Sequence, residues 1–138
     1  MNKKTGIFIA VIAVILFSVA VTSGRAQDVT SGKYLGEIAS ELNKNLPMMV
    51  DKETEWISTA GLDRVIIYNY RLVNYNAADL SSAELVKSAR PMLTNAVCST
   101  PETRDSFIKK GISMRYVYND KNRVHVASIE ITPKDCGF

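Results

Sequence analysis

The chain carries few residues that could do chemistry. His125 is its only histidine. A nucleophilic site needs a hydroxyl, a base and an orienting acid within reach of one another. Ser128 and Asp120 are the nearest such groups in sequence. Neither lies at a motif spacing, and the chain has no G-x-S-x-G, so His125 reads as an exposed or edge-strand residue. One histidine and two cysteines cannot build a zinc-type cluster. Asp51, Glu53 and Glu55 form the one acidic cluster. Carboxylate pairs serve glycoside hydrolysis. On an extended segment these three point the same way, which reads as a strand edge guarded by charge. The sharper alternatives are a cation site or a contact for a basic partner. No G-x-x-x-x-G-K is present, so nucleotide chemistry is not expected. The sequence therefore offers no catalytic set, no metal site and no cofactor.

The two cysteines, Cys98 and Cys136, lack metal or redox spacing. In an oxidising compartment an even pair reads as a disulfide. Closing a 38-residue separation contributes about 4 kcal/mol in the chain-entropy account. The tyrosines are the most informative feature. Tyr68, Tyr70, Tyr116 and Tyr118 alternate along two strand-like segments. If those strands are neighbours, the rings form a cross-strand ladder. They are either core beneath helices or an aromatic binding surface, exposed or lining a pocket. Trp56, preceded by Met48 and Met49, is a second candidate contact element, since Met pairs adapt to varied partners.

The elements that position these residues follow from periodicity. Residues 31 to 45 read as a helix with Ser31 as N-cap and Tyr34, Leu35, Ile38, Ala39 and Leu42 on one face. Residues 46 to 52 are an extended lead-in to a strand over about 53 to 60, and Gly61 turns the chain. Residues 64 to 75 are the strongest strand. Its even positions, Ile66, Tyr68, Tyr70 and Leu72, face the core; its odd positions are half solvated. Ser81 to Glu84 is a capping-box pattern opening a helix that ends at Cys98, with Pro91 expected to kink or split it. Thr100 and Pro101 open another helix, closed by Gly111. A final hairpin spans about 112 to 132, turning over 119 to 122, with a β-bulge near Ala127 or Ser128. The order α-β-β-α-α-β-β predicts an α+β fold: about four antiparallel strands with helices packed on one face.

The chain opens differently. Asn2 to Thr5 is a short basic segment, Ile7 to Val21 an apolar run broken only by Ser18, and Gly24-Arg25-Ala26 a small-residue cleavage pattern. That is the order of a secretory signal peptide cleaved after Ala26. The alternative is an uncleaved anchor, although 15 apolar residues fall short of the roughly 20 that span a bilayer. Either way residues 27–138 are exported as one domain, to the periplasm or beyond. No cysteine stands where a lipid anchor would need one. Of the 138 residues, 46% are hydrophobic and 22% charged, ordinary values for a globular chain. The net charge of +3 comes from Lys3, Lys4 and Arg25. Without them the domain is neutral, which argues against nucleic acid as a partner.

The segment Leu46 to Thr54, the Tyr68-Asn69-Tyr70 strand and the cysteine-terminated last strand together resemble small exported bacterial proteins of unknown function. The resemblance covers most of the domain and implies export and a single disulfide. It carries no catalytic pattern. The expectation is thus a non-catalytic, protein-binding module with an envelope protein as partner: an inhibitor, an immunity factor, a chaperone or a secretion accessory. Membrane contact is expected only through an uncleaved leader. A small-ligand carrier with a tyrosine-lined apolar pocket is the alternative.

Overall fold

A computed structural model describes residues 27–138. The leader expected over residues 1–26 lies outside the described residues. Helix α1 spans Gly32–Asn43, and strand β1 is the two-residue Met48–Met49. Strands β2 (Thr54–Leu62) and β3 (Val65–Leu72) form a hairpin. Helices α2 (Ser82–Ser99) and α3 (Pro101–Ser106) follow. Strands β4 (Ser113–Asn119) and β5 (His125–Ile131) complete the sheet. Single 3-10 turns cover Ala77–Asp79, Ile108–Lys110 and Pro133–Cys136. The α+β class, the helical layer on one face and the order of the main elements are those the sequence predicts.

Two helix starts form as their capping serines dictate, whereas Thr100 precedes α3 without a side-chain capping bond. Ser31 Oγ accepts the Tyr34 N–H at 3.1 Å, and Ser81 Oγ accepts the Glu84 N–H at 3.2 Å. Gly111 takes the left-handed conformation, φ 85°, that ends the Ile108–Lys110 turn. Pro91 does not split α2, which runs unbroken for 18 residues. Pro91 lies on the exposed side of that helix, where water can satisfy the carbonyl that loses its partner. Leu85, Ala89, Leu93 and Val97 hold the opposite side to the core.

The sheet corrects three expectations. Gly61 does not turn the chain: it lies within β2, paired with Ile66, and Asp63 and Arg64 make the turn. The sheet has five strands in the order β1-β2-β3-β4-β5, because the lead-in at Met48–Met49 pairs with Glu55 and Trp56. It is mixed, because β3 and β4 run parallel. The predicted hairpin units are both present, but the α2–α3 crossover returns the chain to the end from which β3 started, which makes the joining pair parallel. The expected bulge is found. Tyr118 faces Ala127 and Asn119 faces His125, so Val126 is the extra residue of β5. Val126 and Ala127 are both buried, which accounts for the phase shift in that strand's apolar pattern. A second bulge leaves Ile57 unpaired in β2. It puts Trp56 and Thr59 on the same buried face.

The main core lies between the sheet and the helices, and Leu35, Phe107 and Ile112 form a smaller cluster. The main core gathers Leu42 of α1, Leu85 to Val97 of α2, the even positions of β3 and β4, and Ile129 and Ile131 of β5. Cys98 and Cys136 are bonded, with Cα atoms 5.3 Å apart, so the segment after β5 is fastened to the end of α2. Helix α1 lies directly on β2 because position 61 has no side chain. A Cβ on Gly61 would stand 2.1 Å from the Leu35 carbonyl carbon and 2.4 Å from the Gly36 nitrogen. These are backbone atoms, so the helix itself would have to lift.

Two outcomes follow from this packing. Gly61→Ala lowers stability by about 3 kcal/mol, the upper range for overpacking. Gly36→Ala, whose Cβ meets nothing nearer than 4.0 Å, is neutral or stabilising because alanine favours a helix. Urea midpoints of the pair check this, and equal midpoints would refute the close approach. The second outcome concerns alkali. Burial pushes the phenols of Tyr68, Tyr70, Tyr116 and Tyr118 far above the ordinary value near 10. Their contribution to stability is complete below about pH 10 and is lost as pH rises, because the unfolded chain ionises first. Of the 6 tyrosines, these four therefore give a tyrosinate absorbance signal only together with loss of the near-ultraviolet circular dichroism. Ionisation at the ordinary pH with the native spectrum retained would contradict it.

Candidate functional site

Strand phase decides where the aromatic candidates go. Trp56, Tyr70 and Tyr118 align across β2, β3 and β4, and Thr59, Tyr68 and Tyr116 form the next row. All these side chains point under the helices. Trp56 and the four tyrosines are each at most 6% exposed. Their rings pack as a chain: Trp56 to Tyr68 at 5.6 Å, Tyr68 to Tyr116 at 5.2 Å, Tyr116 to Tyr70 at 6.1 Å and Tyr70 to Tyr118 at 5.5 Å. The expected ladder exists, but it belongs to the core. An exposed aromatic face is not formed. Of the candidate contact residues, Met48 and Met49 remain at the surface, 42% and 48% exposed on the short edge strand.

The acidic cluster does not act as a unit. Asp51 lies in the turn before β2, where its Oδ1 accepts the N–H groups of Glu53 and Thr54 at 2.8 and 2.7 Å. Glu53 accepts the Tyr75 hydroxyl at 3.0 Å. Glu55 pairs with Arg71 across the hairpin, also at 3.0 Å. The expectation of three carboxylates pointing one way fails because Asp51 is committed to a tight turn and the other two have separate partners. Among the described residues no group of three or more His, Cys, Asp or Glu is arranged to hold a metal ion.

His125 does meet a hydroxyl. Its Nε2 stands 2.8 Å from Ser128 Oγ, on the exposed side of β5. The third member of a triad is not supplied by Asp120. That carboxylate is 3% exposed and accepts three backbone N–H groups, from Ala77 at 2.9 Å and from Asn122 and Val124 at 2.8 Å. Burial works against its charge, but those bonds and nearby Lys121 outweigh it and hold the carboxyl below its ordinary range. Asp120 thus fastens the β4–β5 turn to the Ala77 segment, and among the described residues no acid is bonded to the His125–Ser128 pair.

The sheet face away from the helices is crossed by polar pairs. Glu55 meets Arg71, Ser58 Oγ accepts from Asn69 Nδ2 at 3.0 Å, and Arg115 pairs with Glu130. Ile67 and Val117 are half-buried among them. The alternation in β3 and β4 signals this face. Another contributor carries no signal in the sequence. Asn43, the last residue of α1, donates to the Thr59 carbonyl at 2.8 Å and accepts its N–H at 2.7 Å. Its amide thereby does for the outer edge of β2 what a strand neighbour would do, just beyond the two residues covered by β1.

No protein-family model and no curated protein matches the chain. Solved structures do share its fold. A protein of Pseudomonas aeruginosa described as secreted superposes with a TM-score of 0.66 and 19% identity, covering 83% of this chain and 99% of that one. The type II secretion system pilotin of Vibrio cholerae superposes at 0.56 with 16% identity, covering 76% and 91%. The type 2 secretion system pilotin of Vibrio vulnificus does so at 0.54 with 13% identity, covering 78% and 92%. At these identities the likeness establishes the fold, an α+β architecture that spans nearly the full length of each of these proteins.

Proposed function

We propose that this chain is an exported accessory protein of the bacterial envelope that acts by binding another protein, within or beside a secretion apparatus. The likeness of fold to two secretion pilotins and a protein described as secreted carries this reading. Three features of the chain support it. The leader-like segment directs export, and the Cys98–Cys136 bond suits an oxidising compartment. The interior is filled by rings that stack on one another, which leaves little aromatic surface to line a guest and weakens the carrier alternative. The exposed Met48–Met49 pair offers adaptable apolar contacts on an edge strand.

The binding function is tested with oxidised residues 27–138 as immobilised bait in a cross-linked envelope extract. One saturable protein partner is expected. Changing Met48 and Met49 together to Asp should lower its capture about tenfold or more, as removal of central contacts does, without changing the urea midpoint. Capture of no protein together with a co-purifying small molecule would replace this reading with the carrier.

A further inference from the structure

We propose that the end of the domain at which residue 27 joins the leader rests on an anionic membrane surface. Four segments meet at that end. The Arg64 N–H donates to the Thr30 carbonyl at 2.8 Å, and the Gly32 N–H donates to Asp63 Oδ1. These bonds tie the first residues of the domain to the β2–β3 turn. The Ser113 N–H donates to the Arg64 carbonyl at 2.9 Å. The Arg64 guanidinium lies over Gly111, with Nη1 3.6 Å from where a Cβ would stand. Lys109, just before it, holds its ammonium 5.6 Å from the centre of the Phe138 ring. The start of the domain, the β2–β3 turn, the Ile108–Lys110 turn and the C-terminus thus share one end.

The side chains at that end are apolar and cationic together. Leu62 is 53% exposed and Phe138 55%. Lys33, Arg64, Lys109 and Lys110 are exposed around them. The acids nearby are already engaged. Asp28 accepts the Thr30 hydroxyl and N–H, and these bonds hold its carboxyl below the ordinary range. Asp63 accepts the Gly32 N–H, and Asp105 pairs with Arg104 and Lys109. Lys33 and Lys110 have no ion-pair partner among the described residues. These carboxylates keep their charge, yet Lys33, Arg64, Arg104, Lys109 and Lys110 outnumber Asp28, Asp63 and Asp105 at this end, whereas residues 27–138 are neutral as a whole, so the excess of cations is local. Exposed apolar side chains beside cations suit a bilayer interface: the former enter the headgroup boundary while the latter meet lipid phosphates.

Chain length argues for the same occupant. The apolar run of the leader ends at Val21, and residues 22 to 26 are all that separate it from residue 27. Five residues reach at most about 18 Å. While the leader is attached and inserted, this end of the domain is therefore held against the bilayer. The contact proposed goes beyond that tether, because it uses the domain's own side chains. It is also independent of the protein-binding reading, which concerns the β1 edge.

The test uses oxidised residues 27–138, which contain the entire described core and both cysteines. Binding is read by co-sedimentation with vesicles of phosphatidylglycerol and phosphatidylethanolamine, and with vesicles of phosphatidylcholine alone. Binding to the anionic vesicles, weakened by salt, is expected. Lys33→Glu with Lys110→Glu should lower the partition coefficient about tenfold or more, and Leu62→Asp should lower it as well. Val124→Asp, an equally exposed site in the β4–β5 turn at the far end of the sheet, should leave it unchanged. Unchanged urea midpoints establish that the variants fold. No binding to anionic vesicles, equal binding to both lipid types, or equal effects of Leu62→Asp and Val124→Asp would overturn the proposal.

Discussion

β3 and β4 run parallel at the centre of the sheet, and a parallel pair cannot be joined by a tight turn. The chain must leave the end of β3, travel the length of the domain and re-enter beside the start of β3. Residues 73 to 112 make that journey. They form α2 and α3 and roof the half of the sheet that α1 does not cover. The same constraint sets the register that places Tyr68 opposite Tyr116 and Tyr70 opposite Tyr118. It also leaves Cys98 at the end of the crossover helix, within bonding distance of the segment after β5. The aromatic stack and the covalent tie are thus two consequences of one pairing. Neither could survive a switch to antiparallel pairing, because the even positions of the two strands would no longer keep this register.

The close approach at Gly61 completes the roof. Aromatic rings fill the middle of the layer, where α1 and α2 leave room above β3 and β4. At β2 the space shrinks to direct backbone contact, which glycine alone permits. Asn43 then closes the helix onto the same strand by bonding both backbone polar groups of Thr59. An edge strand with unpaired N–H and C=O groups invites pairing with other chains. Here the short β1 and one asparagine amide occupy much of that edge. At the opposite edge a bulge bends β5, and Arg90 donates to the Glu130 carbonyl at 3.2 Å. Both edges are blunted by small local devices instead of by an added helix.

Much of this was legible in the residues. The capping serines, the left-handed Gly111, the buried even face of β3 and the bulge in β5 each follow from a local rule, and each forms as that rule dictates. The cysteine pairing followed from arithmetic and compartment. What was not legible is non-local. Nothing in the spacing of Arg64–Tyr75 or Ile112–Tyr118 tells whether two good strands will meet parallel or antiparallel. Nor does anything near Asn43 announce that its amide will serve a strand sixteen residues away. The acidic run misled for a related reason: an alternating pattern implies a shared direction only if the backbone is extended, and Asp51 is spent on a turn. For the tyrosines the pattern gave the ladder but not its surroundings, since a ring that suits an exposed face suits a core equally well.

The interior between sheet and helices is given over to packing. The aromatic residues that most resembled a recognition face stabilise the fold instead. The charged residues most suggestive of a site have other partners: Glu55 pairs across strands, Asp51 is bonded to backbone and Glu53 to the Tyr75 hydroxyl. The large apolar side chains that the described residues expose are scattered: Met48 and Met49 on one edge, Met92 on α2, Val124 in the β4–β5 turn, and Leu62 and Phe138 at the end where residue 27 lies. The domain is built on a stack of buried rings, and its disulfide fastens the end of α2 to the segment after β5.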